Sequence, residues 1–290
     1  MKLSVILPCL KRDAIVERAI RSVGAVPEGV ELEWVVIEGI SPVARARNVG
    51  LRRATGDYIA WIDGDDEVTA EWLTEIAKAI AIKPDVVVFD VETVGWRRMN
   101  GFVYGACEHP DPAMVVRDCY RNFNLQGHLW RVVSHRDLWQ GLLFDEQMIA
   151  GEDYLILPRV LERAKTVAYL PKKLYRYIRN ETSVMNTGSM NRELRLVSAA
   201  LERCRQSAPE FASAALWGSA DIIYRVLAVL DANKIALSID ARRVVNSGRS
   251  FLFKNLIALW RESAFLGSLR SRLFWELKFV VAAFAVRKWL

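Results

Sequence analysis

Tyr58-Ile59-Ala60-Trp61-Ile62-Asp63-Gly64-Asp65-Asp66 is an apolar run of strand length that stops at three carboxylates around one glycine. A run this short and this apolar reads as a buried strand, and the Gly-Asp cluster ends it. Side chains alternate along a strand, so Asp63 and Asp65 project the same way from its carboxyl end, where open α/β sheets bind ligands. Two hard oxygen ligands in one small volume suit Mg2+ or Mn2+ carrying a diphosphate, because such ions take one or two carboxylates and leave the rest to phosphate and water. The alternative is a turn whose aspartates cap a helix starting near Val68.

Outward from this stretch the pattern alternates. Residues 3–8 read as a near-continuously apolar parallel strand, residues 14–23 as a short amphipathic helix, and residues 32–37 as a second strand. Downstream, Trp72, Leu73, Ile76 and Ile80 give a helical stripe, and residues 86–91 another buried strand. Strands alternating with helices at this spacing predict a doubly wound α/β sheet flanked by helices. Between residues 92 and 124 the periodicity weakens. From residue 191 onward the pattern is helical alone, over 193–205, 211–230, 251–260 and 269–289, so a catalytic domain at 1–190 and a helical region at 191–290 are expected.

The order Ala46-Arg47-Asn48-Val49-Gly50, then Ala54-Thr55-Gly56-Asp57-Tyr58, then Asp63-Gly64-Asp65-Asp66 resembles the metal-binding DXD core of family 2 glycosyltransferases with the GT-A fold. Gly151-Glu152-Asp153-Tyr154 resembles that family's acceptor-side motif, and residues 129–138 its Trp-containing strand. The resemblance covers roughly residues 1–186 and implies a GT-A-like mixed sheet with a C-terminal helical extension. It implies Asp65 and Asp63 as ligands of Mn2+ or Mg2+, Asp153 as the base on an acceptor hydroxyl, and Glu152 as its companion. Pro8, Glu38, Arg47, Asp63 and Tyr177 would contact a nucleotide-sugar donor, UDP-linked by family habit. Arginine's planar fork matches phosphate, which suits Arg47 to a diphosphate. Arg45 and Arg47 are placed just before a helix at 48–54. The chain departs from the family in two ways. A helix and a strand usually found before the Arg-Asn-x-Gly segment are missing, so the sheet should be one unit smaller. Around the base, Cys9-Leu10-Lys11 and Glu38 stand where relatives carry an aromatic, an amide and an acidic pair.

Bulk properties bound the setting. At 290 residues, 52% hydrophobic and 26% charged, the composition is that of an ordinary folded protein. The net charge of +6 is concentrated: residues 241–290 hold ten Lys or Arg against Glu262 and Glu276. A basic, Trp-containing helical tail with Leu269, Leu273, Leu277, Val280 and Phe284 at helical spacing suits the surface of an anionic membrane. The alternative is packing on the domain or on a second copy of the chain, as a homo-oligomer. Cys9, Cys107, Cys119 and Cys204 lack metal-ligand spacing and read as reduced thiols; His109, His128 and His135 show no zinc pattern. The first apolar run is broken by Pro8, too short for a signal-peptide core, and no charge-free run approaches the ~20 residues of a spanning helix. A cytoplasmic protein, peripheral at the inner face of the cell membrane, is the expectation, with a glycan or lipid-linked acceptor. No nucleic-acid module accompanies the basic tail. Two other classes stay open: a nucleotidyltransferase, which also sets carboxylates at a sheet's end, and a non-catalytic membrane-associated scaffold.

Overall fold

The computed structural model describes residues 1–95, 104, 108–121, 125, 127–148, 150–179, 190–232, 238–266 and 268–284. Cys107, Arg287, Lys288 and Trp289 lie outside the described residues. The chain folds as two compact units, residues 1–116 with 128–187, and residues 117–127 with 188–290.

In the first unit the order is β1 (Lys2–Cys9), α1 (Ala14–Ser22), β2 (Glu31–Glu38), α2 (Val43–Arg53), β3 (Tyr58–Trp61), β4 (Glu67–Val68), α3 (Trp72–Ala81), β5 (Val86–Val94), α4 (Pro112–Arg121), β6 (Val132–His135), α5 (Glu152–Leu161) and β7 (Val167–Ile178). Residues 117–121 of α4 count with the second unit. The strands form one mixed sheet in the order β2-β1-β3-β6-β5-β7-β4. β1 runs parallel to β2 and β3, while β6 is antiparallel to both β3 and β5. β5 therefore points the same way as β3, and β7, parallel to β5, does too. The carboxyl ends of β1, β2, β3, β5 and β7 thus share one rim, where the Asp63–Asp66 turn follows β3.

Period-two alternation sorts the core. Leu3, Val5 and Leu7, Tyr58, Ala60 and Ile62, and Val87, Phe89 and Val91 are buried on one face, against Val16 and Ala19 of α1 and Trp72, Leu73 and Ile76 of α3. Each Val, Leu, Ile or Phe among them contributes about 1.5–3 kcal/mol of burial. On the other face α2 lies against β1 so closely that a Cβ added to Gly50 would sit 2.4 Å from Ile6 Cγ2. Only glycine allows that approach.

As expected, β2 passes to α2 with no intervening helix and strand. Other boundaries differ. α2 begins at Val43 rather than near Asn48, because Pro42 supplies an extended N-cap and the carbonyl that accepts the first helical N–H groups. Arg45 and Arg47 are therefore inside the helix. β4, two residues long, has no apolar pattern of its own and exists because it pairs with β7 at Glu67↔Arg176 and Val68↔Tyr175. The Trp-containing segment is a 3₁₀ turn at Leu129–Arg131 followed by the short β6.

The second unit holds α6 (Met190–Gln206), α7 (Ala212–Ala232), α8 (Ile239–Glu262) and α9 (Leu269–Phe284). α8 starts a dozen residues before the expected 251, capped by Ser238 accepting from Ala241 N at 3.2 Å; its first turns bury only Ala241, Val245 and Gly248, too sparse a stripe to read. Residues Pro209–Leu230 are long and apolar enough to cross a membrane, but 72% of that window is buried inside the fold, as for a core helix. On α9, Trp275 and Phe279 meet Trp217 of α7, while Leu273, Phe274, Leu277 and Val281 are exposed, as are Phe253 and Ile257 of α8. Arg272 ties the α8–α9 corner, donating to Ser263 Oγ at 3.1 Å and lying over the Trp260 ring.

At the opposite end of the first unit's sheet, Glu33 accepts from the Ser4 hydroxyl, from Thr55 N at 2.8 Å and from Thr55 Oγ1 at 2.6 Å, and pairs with Lys2. Burial alone would push this carboxyl up, but the bonds from Ser4, Thr55 and Lys2 outweigh it and bring the pKa down to about 2. A depressed folded-state pKa stabilises above the ordinary carboxyl value, and that stabilisation is lost as pH falls toward the folded one. Glu33→Gln should lower stability at neutral pH by about 1–3 kcal/mol. The gap from wild type should close between the ordinary 4.5 and about 2, followed by urea unfolding across that range; a pH-independent gap would refute the charge role.

Candidate active site

Five segments converge on the rim in the first unit: the ends of β1 and β2, the turn after β3, the first half of α2 and the start of α5. β3 ends at Trp61, and the chain then turns, with Asp66 N donating to Asp63 O at 3.1 Å. Asp63 and Asp65 are therefore presented by a turn rather than by strand alternation, and both are half-buried. Gly64 lets this turn close on β1: a Cβ there would be 3.5 Å from the Pro8 carbonyl oxygen and 3.3 Å from a Val16 methyl. Pro8 is buried, and Glu38, at the end of β2, is exposed and accepts from Arg12 N at 3.0 Å.

The Arg-Asn-x-Gly segment of α2 performs three separate tasks. Arg47, 6% exposed, donates through Nη1 to Glu152 Oε1 and through Nη2 to Asp63 Oδ1 at 3.2 Å. Burial would weaken its proton affinity, but the charges of Glu152, Asp63 and Asp153 raise it instead. The arginine expected at a diphosphate thus has both terminal nitrogens on protein carboxylates, with its Nε buried and without a hydrogen-bond partner among the described residues. Asn48 clamps the loop before α5: its Nδ2 donates to Phe144 O at 2.9 Å and Glu146 Oε1 at 3.0 Å, and its Oδ1 accepts from Phe144 N at 2.8 Å. Gly50 permits the helix to approach β1.

The third carboxylate of the turn faces inward. Asp66 is buried, accepting from the Tyr175 hydroxyl at 2.9 Å and from Ile178 N at 2.8 Å. The same hydroxyl accepts from Asp63 N at 3.1 Å. Burial first, then the charge of Asp63, pushes Asp66 up to about 8. It fastens the turn to β7. Tyr177, two residues on, lies beside Trp130. Nothing in the sequence pattern singled out Asn48, Asp66 or Tyr175 individually; the only signal was their place inside motifs.

α5 starts at Glu152 after Gly151, whose φ of +83° is a left-handed conformation that favours glycine. Glu152 is buried on Arg47. Asp153 accepts from Tyr154 N at 2.9 Å and stands beside Glu152 with Asp63 also near. Desolvation, then the charge of Glu152, pushes Asp153 up to about 7 in spite of Arg47. One cation among three acids leaves the third with a raised proton affinity, and a carboxylate poised near neutrality is suited to general-base work.

For a metal, the donor set is two hard-oxygen carboxylates separated by one glycine. Among the described residues no three or more His, Cys, Asp or Glu side chains stand close enough to hold an ion by themselves. Two carboxylate oxygens can serve a cation that takes its remaining ligands from a diphosphate and water.

Residues 38–102 match the family model Glycosyl transferase family 2. The uncharacterized glycosyltransferase EpsJ of Bacillus subtilis is 26% identical over 165 residues, spanning 52% of this chain and 46% of that protein. The succinoglycan biosynthesis protein ExoO of Rhizobium meliloti is 31% identical over 160 residues, spanning 52% of this chain and 44% of that protein. The match therefore takes in less than half the length of either relative. Among solved structures, S. aureus TarS 1-349 in complex with UDP-GlcNAc aligns with a TM-score of 0.65 at 16% identity, covering 99% of this chain and 92% of that one. Mannosyltransferase PcManGT from Pyrobaculum calidifontis, in complex with GDP-Man and Mn2+, aligns at 0.50 and 16%, covering 97% and 85%. At such identities the likeness is one of fold, a GT-A-like mixed sheet with C-terminal helices.

Removing one partner of a buried ion pair leaves the other uncompensated, at about 3–5 kcal/mol. Arg47→Met should cost about that much in urea unfolding, and Arg47→Met with Glu152→Gln should recover part of it. Unchanged stability in the single variant would show that the bridge carries no energy.

Proposed function

We propose that this chain, which carries a family 2 glycosyltransferase segment on a GT-A-like fold, is an inverting glycosyltransferase using a nucleotide-diphosphate sugar, UDP-linked, and a glycan or lipid-linked acceptor. The observation that carries the mechanism is the Arg47 bridge, which joins Glu152, and with it the adjacent Asp153 at the start of α5, to Asp63 of the carboxylate turn, while burial and the charge of Glu152 raise the proton affinity of Asp153. It takes the proton of an acceptor hydroxyl as that oxygen bonds to the anomeric carbon and the bond to the diphosphate breaks on the opposite side. Positioning supplies much of the rate, since a carboxylate is a weak base toward an alcohol. Glu152 and Arg47 fix the site: Arg47 sets where both Asp63 and Glu152 stand. A divalent cation, Mn2+ or Mg2+, supplies charge neutralisation on the departing diphosphate when bound, and Asp63 and Asp65 would hold it. Pro8 and Glu38, at the ends of β1 and β2, are assigned to the nucleotide end of the donor. The nucleotide sugars in the TarS and PcManGT complexes support this donor class.

Two variants separate the roles. Asp65→Asn should weaken Mn2+-dependent binding of UDP and abolish turnover, whereas Asp153→Asn should abolish transfer with UDP binding nearly intact. The base works deprotonated, so wild-type kcat/KM should fall as pH drops through about 7. Release of pyrophosphate instead of UDP would identify a nucleotidyltransferase, and no turnover of any nucleotide sugar would leave the scaffold reading.

The same proposal places the protein in the cytoplasm, peripheral at the inner face of the membrane. Supporting it are the basic excess of residues 241–290 and the exposed Phe253, Ile257, Leu273, Phe274, Leu277 and Val281, with exposed Lys254, Arg261 and Arg270 on the same two helices. Each Lys or Arg near an anionic leaflet contributes about 1 kcal/mol. Sedimentation with phosphatidylserine vesicles should fall with added salt and be lost in Leu273→Ser/Leu277→Ser. Indifference to anionic lipid at low salt, together with dimerisation lost in the same variant, would assign the face to a second copy of the chain.

A further inference from the structure

The turn that presents Asp63 and Asp65 is closed by a side chain 112 residues further along the chain. The Tyr175 hydroxyl accepts from Asp63 N at 3.1 Å and donates to Asp66 Oδ2 at 2.9 Å, while Asp66 N donates to Asp63 O at 3.1 Å. These bonds form one ring through the first and last residues of the turn. The group between a backbone N–H and a carboxyl oxygen must accept from one and donate to the other, and a hydroxyl can do both. The second Asp66 oxygen accepts from Ile178 N at 2.8 Å, so β7 holds that carboxyl at both of its oxygens.

A strand irregularity aims the hydroxyl. Along β7 the register against β5 slips by one residue between Asp90↔Lys173 and Val91↔Tyr175, which makes Leu174 an extra residue. In a regular ladder Leu174 would stand opposite Val91, and Tyr175 would point to the other face of the sheet. With the slip, Tyr175 shares one core with Val91 and with Ile62 and Val68, which lie on either side of the turn. The tyrosine is fully buried, and its ring lies near-parallel to Trp130 at 4.5 Å and 12°. That stacking leaves the phenol little room to tilt.

The backbone flanking the turn is tied down independently. Ile62 N donates to Ile6 O at 3.1 Å, Val68 N to Ser22 Oγ at 3.0 Å, and Thr69 N to Leu174 O at 2.9 Å. What the hydroxyl adds is the shape of the turn itself. Asp63 and Asp65 are separated by a glycine, the residue that least constrains backbone dihedrals, so the relative place of their carboxylates depends on how the turn is closed. We propose that Tyr175 is a positioning residue for the divalent cation of the transfer reaction: its hydroxyl holds the Asp63–Asp66 turn in the shape that lets Asp63 and Asp65 bind one ion. Being buried, it acts through the turn and not on the substrate. This rests on the glycosyltransferase reading and on its metal ligands.

Calorimetry of the full chain follows UDP binding at rising Mn2+ and reads the Mn2+ concentration at half-maximal binding. Tyr175→Phe keeps the ring and its stacking and removes the hydroxyl alone. The Mn2+ midpoint should rise about tenfold, the scale of one hydrogen bond, with binding at saturating Mn2+ retained. Glu33→Gln, at the opposite end of the sheet, controls for lost stability and should leave the midpoint in place. Should Tyr175→Phe fail to fold, Asp66→Asn carries the test: one oxygen then serves two donors, and the midpoint should rise in the same sense. An unmoved midpoint in a folded variant overturns the proposal. So does an equal rise in Glu33→Gln, which would make the effect one of stability, and so does weaker binding at saturating Mn2+ with the midpoint unmoved, which would put Tyr175 in the nucleotide pocket. Wild-type chain that binds no UDP, or binds it regardless of Mn2+, overturns the underlying site reading and the proposal with it. Metal-dependent binding in the wild type with an unmoved Tyr175→Phe overturns the proposal alone.

Discussion

One guanidinium holds the first unit's rim together. Arg47 is buried between an acid 16 residues away, on the turn after β3, and one 105 residues away, at the start of α5. A buried charge persists only when its partners are held to it, so everything that delivers those partners is constrained in turn. α2 must press on β1, the loop through Phe144 must be pinned by Asn48, and α5 must begin at a left-handed glycine. The three neighbouring residues of α2 answer three different demands, which is why they travel as a motif.

The same bridge sets the chemistry. Asp63 and Glu152 consume the two ends of the cation, and Asp153, third in the queue, meets a desolvated site with a negative neighbour. Its raised proton affinity is a by-product of a charge imbalance of one cation to three acids. In the turn, the division is similar: Asp63 faces Arg47 and Asp66 faces β7. Within this string of acids around a glycine, Asp66 is thus the anchor and Asp63 the bridge partner.

Much of this was legible beforehand, for stateable reasons. Period-two and period-3.6 patterns located β1, β2, β3, β5, α1 and α3, since each buries a full face and the burial writes itself into the residue types. The shortened connection from β2 to α2 could be counted directly. What stayed hidden depends on partners distant in sequence. β4 is two residues whose only reason to be extended is β7, and α8 buries too few small residues in its first turns to announce itself. Arg47 was picked out as a site residue, but no pattern could reveal that its fork closes on two carboxylates, because both are named only by the fold. The same holds for Asp66, whose partners in space are a tyrosine hydroxyl and a backbone N–H far along the chain.

The contact between Gly50 and Ile6 reaches beyond this molecule. Because the helix bearing Arg47 rests on the strand with no side chain between them, volume at the two positions is a shared quantity, and neither can drift alone. A descendant that acquired alanine at position 50 would have to shed bulk at position 6 or tolerate a displaced helix, and with it a guanidinium moved off its two acids. Divergence here should proceed in paired steps, so that an apolar side chain that touches no substrate keeps a hereditary record of where the charge must sit.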